Sequence, residues 1–455
     1  MISSKIEQFD LPRYLAEPER LDAGWVLQDK NRDAERSVSI ETYTLSSQAW
    51  PKDAAAGEER IWRHTLVLYR PDVLVSSQAL LFVNGGTRNT RAQQDNPQPH
   101  DLNFARLAAG TQALVIDLQD VPNQYLTFED ALSRKGDTLY AYSWNRYMSD
   151  QKKNAYWPLS LPMTKAVVKA MDAVQEIMLQ DFIPIEQFVV AGLSKRGLAT
   201  WLAALHDERI VAIVPVVIDM LNTQKTMQHI YASYNNNWPL AFYEFIQEKI
   251  PQNMHNPAFQ QLMDIEDPLA YLRKEEGDVY KKRLSIPKYI ISASGDDFFT
   301  PDCLNLYLDL LPGETRVRVV PNQGHLMDMQ VVEDALLGYF RALLKHTPRP
   351  QVQWSVTPAG VISEVTTDRQ PQSVKLWEAE NTLSRDFRLA AQIKYQDKTL
   401  PGTFGEGFYH YPVQVSAPAQ GFKAYFIEMT FQEKQSDPLI FTTPAYVIAA
   451  RDAHS

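Results

Sequence analysis

The chain has 455 residues, of which 45% are hydrophobic and 22% are charged, a balance that excludes disordered, collagen-like and coiled-coil proteins. With 45 Lys and Arg residues against 55 Asp and Glu residues, the net charge is −10, and no basic run offers a surface for nucleic acid or anionic membranes. Cys303 is the only cysteine, which excludes an intrachain disulfide. We therefore expect an acidic globular protein, and its length fits two to three domains or one large and one small domain equally well.

The sequence shows neither a signal peptide nor a membrane span. Residues 1–8 lack the apolar run of a signal peptide. No segment approaches the roughly 18 consecutive apolar residues that a membrane span needs. We expect a soluble protein that is cytoplasmic as the sequence stands, or exported if a signal peptide has been trimmed. No pattern in the sequence decides between these compartments or indicates an oligomeric state.

Apolar patterns predict strands that come to alternate with helices. Residues 37–45 and 62–68 alternate as half-buried antiparallel strands do. Short, nearly continuous apolar runs follow, which are typical of parallel strands covered on both faces; they lie at residues 79–83, 113–116, 188–190, 211–218, 289–291 and 317–320. Helical periodicity is clearest at residues 164–179, 198–205 and 331–344. This order predicts an α/β-hydrolase fold with a doubly wound, mostly parallel sheet.

Two long connections interrupt the pattern of strands and helices, and the sequence pattern changes after residue 346. Residues 119–163 and 219–286 are rich in aromatic residues and too long for plain turns. We expect them to form a lid or pocket wall, because such insertions usually lie over the carboxyl ends of the strands; peripheral packing helices are the alternative. After the Pro-rich stretch at 346–350, short alternating segments predict a small antiparallel β-sandwich. The predicted domains are therefore an α/β-hydrolase domain at 1–347 and a β-sandwich at 348–455.

The main chemical signal is a serine between an apolar strand and a helix. Ser194 is preceded by Gly192 and followed by Lys195, Arg196 and Gly197. A turn this sharp exposes the serine hydroxyl above the sheet, and it places the Lys195 N–H at a helix N-terminus, where it can hold an oxyanion. The usual motif is Gly-x-Ser-x-Gly, and here Arg196 stands where the second glycine belongs. Taken alone, Gly-x-Ser is equally consistent with an ordinary turn.

Two later strands end in the partners that a nucleophilic serine requires. One ends in Asp296 and Asp297, and the next ends in His325. The chain order serine, aspartate, histidine is that of α/β-hydrolases, with room for one helix between the last two strands. Adjacent aspartates point in different directions, so only one can face the imidazole. The spacing to Pro301 allows Asp297, so the residues alone leave this choice open.

A glycine pair follows the first parallel strand, at the position of an oxyanion loop. The strand at 79–83 continues into Asn84, Gly85, Gly86 and Thr87, and the loop extends to Arg88. Glycines let the backbone come close to a substrate, so the N–H near Gly86 is a candidate partner for that of Lys195. A simple tight turn is the alternative.

These stretches resemble the PhoPQ-activated pathogenicity-related protein family, a bacterial group within the α/β-hydrolases. The similar segments are residues 82–86, 141–144, 157–163, 192–197, 295–299, 374–377 and 385–388. The resemblance implies that Ser194 is the nucleophile, Asp296 the acid and His325 the base, and that Ser-Lys-Arg-Gly is the family's own form of the turn. It also implies a virulence-related role and, in most members, export. It supplies no settled substrate.

No other pattern indicates a metal or a cofactor. The remaining histidines show no paired metal-ligand spacing, and neither a His-Glu-x-x-His motif nor a dinucleotide or phosphate loop occurs. We expect no metal, no cofactor, no nucleic acid, and a small-molecule or peptide substrate.

Two classes of function fit these features. The first is a serine hydrolase that cleaves an ester or amide bond through an acyl-enzyme. The second is a non-catalytic binding protein on a hydrolase scaffold, since a fold does not fix a function. Scaffolds that lose activity commonly lose a triad member, and the complete set here favours the enzyme.

Overall fold

The structure is a computed structural model that describes residues 11–17, 24–51, 60–87, 102–358, 360–432 and 437–450. Residues 1–8, which carry no signal-peptide pattern, lie outside these ranges. The chain forms two compact units, each assembled from three separate stretches. The first consists of Met1–Asn96, Ala113–Ile213 and Tyr243–Leu284, and the second of Pro97–Gln112, Val214–Phe242 and Ser285–Ser455.

In the described chain, antiparallel strands come first, strands and helices are then interspersed, and strands dominate after α11. The strands are β1 (Trp25–Asp33), β2 (Val38–Ala49), β3 (Ile61–Pro71), β4 (Gln78–Val83), β5 (Val115–Leu118), β6 (Leu126–Thr127), β7 (Ser133–Arg134), β8 (Gln187–Leu193), β9 (Ile210–Val216), β10 (Lys288–Ala293), β11 (Thr315–Val320), β12 (Val352–Val356), β13 (Ile362–Thr367), β14 (Ser373–Asn381), β15 (Gln396–Thr399), β16 (Thr403–Gly405), β17 (Phe408–Pro412), β18 (Phe422–Phe431), β19 (Leu439–Thr442) and β20 (Tyr446–Ala449). The helices are α1 (Leu11–Ala16), α2 (Phe104–Thr111), α3 (Gly136–Ser149), α4 (Ser160–Gln180), α5 (Lys195–His206), α6 (Thr223–Ser233), α7 (Tyr243–Gln247), α8 (Pro257–Glu266), α9 (Pro268–Tyr271), α10 (Gly277–Leu284) and α11 (Met329–Leu344).

The first unit contains a set of paired strands that includes β8, the strand directly before Ser194. Its strands follow the order β1-β2-β3-β5-β4-β8. The strands β1, β2 and β3 are antiparallel, β5 is antiparallel to β3, and β4 is parallel to both β5 and β8. The switch from antiparallel to parallel pairing coincides with the change from alternating to continuous apolar sequence. Strand β3 is buried mainly at every second residue, whereas β5 is buried throughout. The predicted antiparallel start followed by parallel strands is confirmed.

The second unit combines parallel and antiparallel pairing. Strand β10 is parallel to β11, and the sheet continues through the antiparallel strands β19, β18, β14 and β15, while β20 pairs with β18. A separate antiparallel sheet has the order β12-β13-β17-β16. The two sheets meet where the Ile362 N–H donates to the Tyr425 hydroxyl at 2.9 Å. The antiparallel C-terminal layers are therefore confirmed, and one of them continues the β10–β11 sheet.

The domain boundary at residues 347 and 348 stays a prediction. Several contacts cross it within the second unit, because β19 pairs with β11 and the Tyr289 hydroxyl donates to the Ile440 carbonyl at 2.6 Å. The sandwich residues thus belong to the same compact unit as the strands that precede Asp296 and His325.

The aromatic insertions build a packed helical layer in the first unit. Helix α3 packs against α7 and α8, with the Trp144 ring 5.6 Å from that of Phe245 and 6.3 Å from that of Phe259. Most aromatic side chains of the first insertion are buried, namely Tyr140, Tyr142, Trp144, Tyr147 and Trp157. These rings therefore form core contacts, and a lid role for the insertions stays a prediction.

Glu266, at the end of α8, is a buried carboxyl in this helical layer. It accepts hydrogen bonds from the Tyr140 hydroxyl at 2.7 Å and from the Ser160 hydroxyl at 2.8 Å. Burial raises the pKa of Glu266 to about 7, although both hydrogen bonds act in the opposite direction. Because the pKa in the folded chain lies above the ordinary value of 4.5, folding stability falls as the pH rises from about 4.5 through about 7.

The substitution Glu266→Gln should stabilise the protein above pH 7, because the amide keeps hydrogen bonds to both hydroxyls without a buried charge. The raised pKa of Glu266 corresponds to a loss of about 3 kcal/mol in the free energy of unfolding at pH 8, and to little loss at pH 4.5. The midpoint of urea unfolding, measured for both proteins at pH 5 and pH 8, checks this. The exposed Glu276→Gln variant serves as the control. An equal effect of Glu266→Gln at both pH values would contradict the buried-charge explanation.

Candidate active site

Ser194 lies at a sharp turn between β8 and α5 in the first unit. Its φ of 54° and ψ of −128° are rare for a residue that is not glycine. Such backbone strain costs on the order of 1–3 kcal/mol and occurs mainly at functional positions. The Ser194 side chain does not cap helix α5. This strand-to-helix turn with a strained serine is the conformation of a nucleophile elbow.

Gly192 allows the strand and the helix to approach each other at this turn. A Cβ atom at Gly192 would lie 2.8 Å from the backbone carbon and oxygen of Arg196, and 3.1 Å from the Thr200 hydroxyl oxygen. Backbone atoms of the first helical turn cannot move aside as a flexible side chain can. The first glycine of the motif is therefore required by packing, independently of any chemistry.

Arg196, which replaces the second glycine of the usual motif, connects the elbow to the predicted oxyanion loop. Its Nε donates to the Val121 carbonyl at 2.6 Å. Its guanidinium lies so close to Gly85 that a Cβ atom there would be 2.6 Å from Nη2. Burial lowers the pKa of Arg196 to about 10, so the side chain keeps its positive charge at neutral pH. The departure from the generic motif thus places a cation beside the loop.

The second glycine of the predicted oxyanion loop is required by its backbone shape. Gly86 has a φ of 145°, and a Cβ atom there would lie 2.3 Å from Asp120 Oδ1. The Gly86 carbonyl accepts a hydrogen bond from Gln124 Nε2 at 2.9 Å, and the Gly85 N–H donates to Asn84 Oδ1 at 2.8 Å. These contacts hold the loop in one conformation. Arg88, at the end of the predicted loop, lies outside the described residues.

Lys195 has two separate features at the elbow. Its N–H belongs to the first turn of α5, where backbone N–H groups have no acceptor within the helix. Its Nζ lies 2.9 Å from Asp137 Oδ1, in the first turn of α3. Burial lowers the pKa of Lys195, and the charge of Asp137 opposes this effect. The sequence analysis considered only the N–H and missed Asp137, which no motif marks.

His325 and Asp296 form a hydrogen-bonded pair in the second unit, after the parallel strands β11 and β10. His325 Nδ1 lies 2.9 Å from Asp296 Oδ2 and 3.1 Å from Oδ1. Asp296 is buried and also accepts the N–H groups of Phe298 at 2.7 Å and Phe299 at 3.2 Å. An ionised carboxylate can only accept, so this pairing favours the proton on Nδ1 and leaves Nε2 as the basic nitrogen.

The two adjacent aspartates differ in exposure. Asp296 is 4% exposed and contacts the imidazole, whereas Asp297 is exposed. The His325 ring packs on Phe298, with ring centroids 4.6 Å apart, and this contact restricts its rotation. The geometry supports Asp296 as the triad acid, and its role stays a prediction.

A second buried carboxyl, which the sequence analysis missed, belongs to the second unit. Asp219 follows β9 and accepts a hydrogen bond from the Tyr307 hydroxyl at 2.8 Å. Burial raises the pKa of Asp219 to about 6; the charge of Asp296 acts in the same direction and that of His325 in the opposite one. Its position just after an apolar strand, as for Asp296, was the signal that could have revealed it.

Within the described residues, no three His, Cys, Asp or Glu side chains are arranged to hold a metal ion. His100 and His454 lie outside those residues. No helix of the described chain is both long and apolar enough to cross a membrane.

Comparison with known proteins gives the same family as the sequence resemblance, and the match covers most of the chain. A family described as PhoPQ-activated pathogenicity-related protein matches residues 11–388. The chain is 30% identical to autocrine proliferation repressor protein A of Dictyostelium discoideum over 422 residues, which cover 87% of this chain and 82% of that protein.

Solved structures with a similar fold include two acetyl xylan esterases. The enzyme from Paenibacillus sp. R4 is 16% identical with a TM-score of 0.47, and that from Thermoanaerobacterium sp. is 15% identical with a TM-score of 0.40. Each comparison covers 73% of this chain and 92% of the other. The structure itself has the predicted fold class, with parallel strands and helices followed by antiparallel C-terminal layers.

The substitution Gly192→Ala should destabilise the elbow, because its Cβ atom would collide with the backbone of α5. Overpacking of this kind costs about 1–3 kcal/mol. The midpoint of urea unfolding checks the expected loss. Gly405→Ala is the matched control, since a Cβ atom there meets nothing within 4 Å. Equal midpoints for the two variants would show that the elbow tolerates the extra methyl group.

Proposed function

The chain belongs to the PhoPQ-activated pathogenicity-related protein family, and we propose that it is a serine hydrolase whose nucleophile is Ser194. The observation that carries this proposal is the strained turn at Ser194, with its φ of 54° directly before helix α5. Strain of this kind is retained where function needs it. In the second unit, the buried Asp296 carboxylate bound to His325 Nδ1 supports the proposal independently.

In the proposed reaction, His325 Nε2 removes the proton of the Ser194 hydroxyl as the serine oxygen attacks the carbonyl carbon of an ester or amide. The tetrahedral intermediate then collapses, the bond to the leaving alcohol or amine breaks, and the imidazolium returns its proton to that group. Water enters by the same steps in reverse order and releases the acid product and the free serine. The substrate is a small molecule or a peptide.

Asp296 has an electrostatic role in this scheme. Its carboxylate keeps the Nδ1 proton in place and stabilises the imidazolium that forms during each proton transfer. The two backbone N–H groups that bind Asp296 hold its carboxylate in place beside Nδ1.

The oxyanion would be held in the first unit. We assign this role to the N–H groups of Lys195 and Gly86, with the positive end of the α5 dipole acting in the same direction. The Arg196 guanidinium beside Gly85 adds a positive charge near the loop. In comparable sites, removal of one such fixed donor lowers turnover by about 10²–10³-fold.

The substitution Ser194→Ala should abolish hydrolysis of a small activated ester such as p-nitrophenyl acetate. His325→Ala should cause a comparable loss, because the members of a triad act as one unit. Turnover is expected to fall by at least about 10³-fold in both. The exposed Ser355→Ala variant is the control. A wild-type protein without any esterase or amidase activity would favour the non-catalytic binding function instead.

Comparison of Asp296→Asn with Asp297→Asn tests the assignment of the acid. Loss of the carboxylate that orients the histidine costs about 10⁴-fold in turnover, because the imidazole then adopts the wrong tautomer. Asp297→Asn should lower turnover far less, because Asp297 is exposed. Steady-state kinetics on the same ester measures both variants. A larger loss for Asp297→Asn would reverse the assignment.

A further inference from the structure

The connection between β14 and β15 reaches the loops that carry Asp296 and His325. It spans residues 382–395 and belongs to the second unit, as do both loops. Its backbone bonds directly to the acid loop, because the Leu389 N–H donates to the Gly295 carbonyl at 3.1 Å. Gly295 immediately precedes Asp296 in the chain.

The Leu389 side chain covers two glycines at once. A Cβ atom at Gly295 would lie 3.1 Å from Leu389 Cδ2, and one at Gly324 would lie 3.0 Å from Leu389 Cδ1. Gly295 and Gly324 immediately precede Asp296 and His325 respectively. Glycine has the greatest backbone freedom of any residue, so these two positions need restraint from outside their own side chains. Leu389 occupies the space that side chains there would fill.

A second contact restrains the backbone that leads to His325. Asn322 and Tyr395 exchange two hydrogen bonds, from the Tyr395 N–H to Asn322 Oδ1 at 2.8 Å and from Asn322 Nδ2 to the Tyr395 carbonyl at 3.1 Å. The Asn322 N–H also donates to the Ser294 hydroxyl oxygen at 2.8 Å. The histidine loop, the acid loop and the connection are therefore linked through Asn322.

Charged side chains fix the connection to the same unit. Arg385 donates to the Ser233 hydroxyl oxygen at 2.7 Å and pairs with both oxygens of the partly buried Asp302, which also contacts His229 at 3.0 Å. A bidentate arginine–carboxylate pair restricts orientation as well as distance. The Arg388 guanidinium lies 4.7 Å from the centre of the Tyr234 ring. The segment is thus anchored independently of its contacts with the two loops.

We propose that residues 385–395 position the Asp296–His325 pair, with Leu389 as the central positioning residue. This inference rests on the serine hydrolase proposed above and assigns a role in turnover to the β-sandwich region. The restraint acts on the two glycines and keeps the 2.9 Å hydrogen bond between His325 and Asp296 formed. The pair therefore does not have to be ordered again in each turnover. Leu389 acts through the two glycines that precede the catalytic pair.

The test compares Leu389→Ala with Leu383→Ala, two truncations of leucines in the same connection. Leu383 is 89% exposed and lies outside the 385–395 segment. Leu389→Ala should lower kcat by about 10- to 100-fold with KM nearly unchanged, because small misplacements of catalytic groups have effects of this size. Leu389→Met should restore most of the activity, since it conserves volume. Leu383→Ala should behave as the wild-type protein does.

A spectroscopic readout separates positioning from general support of the fold. The proton of a histidine Nδ1 bound to a carboxylate gives a far-downfield resonance in the proton NMR spectrum, identified by its loss in His325→Ala. It should weaken or disappear in Leu389→Ala and persist in Leu383→Ala, with both variants folded at the temperature of measurement. Leu389→Val, with an intermediate loss expected, replaces Leu389→Ala if that variant does not fold.

The outcomes distinguish this inference from the proposed function. An active wild-type enzyme in which the two leucine variants have equal kcat and an unchanged resonance would overturn the positioning role alone. An inactive wild-type protein would contradict the hydrolase. The resonance would still report whether Leu389 holds the Asp296–His325 hydrogen bond.

Discussion

A strand that passes into a helix within a single residue requires unusual backbone geometry, and Ser194 adopts it with a φ of 54°. The surrounding sequence follows from this constraint. Gly192 is needed because the first turn of α5 lies against it, and the guanidinium of Arg196 from the same turn lies beside Gly85. The strain also explains why the serine hydroxyl is not used as a helix cap. The elbow is therefore a locally determined structure whose energetic cost is offset by the packing of β8 and α5.

The candidate residues of the two units differ in their chemistry. In the first, the Arg196 guanidinium lies beside Gly85 in the loop that we assign to the oxyanion, whereas Lys195 Nζ is paired with Asp137. In the second, the carboxylates of Asp296 and Asp219 are positioned to favour an imidazolium. This division matches the chemistry of acyl transfer, in which negative charge develops on the substrate oxygen while positive charge develops on the histidine.

Much of the fold could be predicted because periodicity is a local property of the sequence. The helix predicted at 164–179 is Ser160–Gln180, and each of the short apolar runs overlaps a strand. The face of β2 was less predictable, since Tyr43 and Leu45 are buried while Ile40 and Thr42 are only partly so. Alternation indicates that two faces exist, but the packing of distant segments decides which one is buried.

The candidate site shows the same limit. Ser194, Asp296 and His325 could be picked out from the sequence because each follows an apolar strand, and functional residues of α/β proteins commonly follow the carboxyl ends of strands. The contacts of Arg196 with Val121 and of Leu389 with Gly324 join residues far apart in sequence, and no local pattern encodes them. Asp137 and Asp219 were missed for a related reason, since a lone carboxylate resembles any surface acid until its surroundings are known.

The measurement that tests the central claim most directly is covalent labelling of the purified full chain with a fluorophosphonate, followed by mass spectrometry of its peptides. We expect one adduct per chain, on Ser194, because only a serine activated by a base and opposed by oxyanion donors reacts rapidly with such a probe. An adduct on a different residue, or an unmodified chain under conditions that label a known serine hydrolase completely, would contradict it.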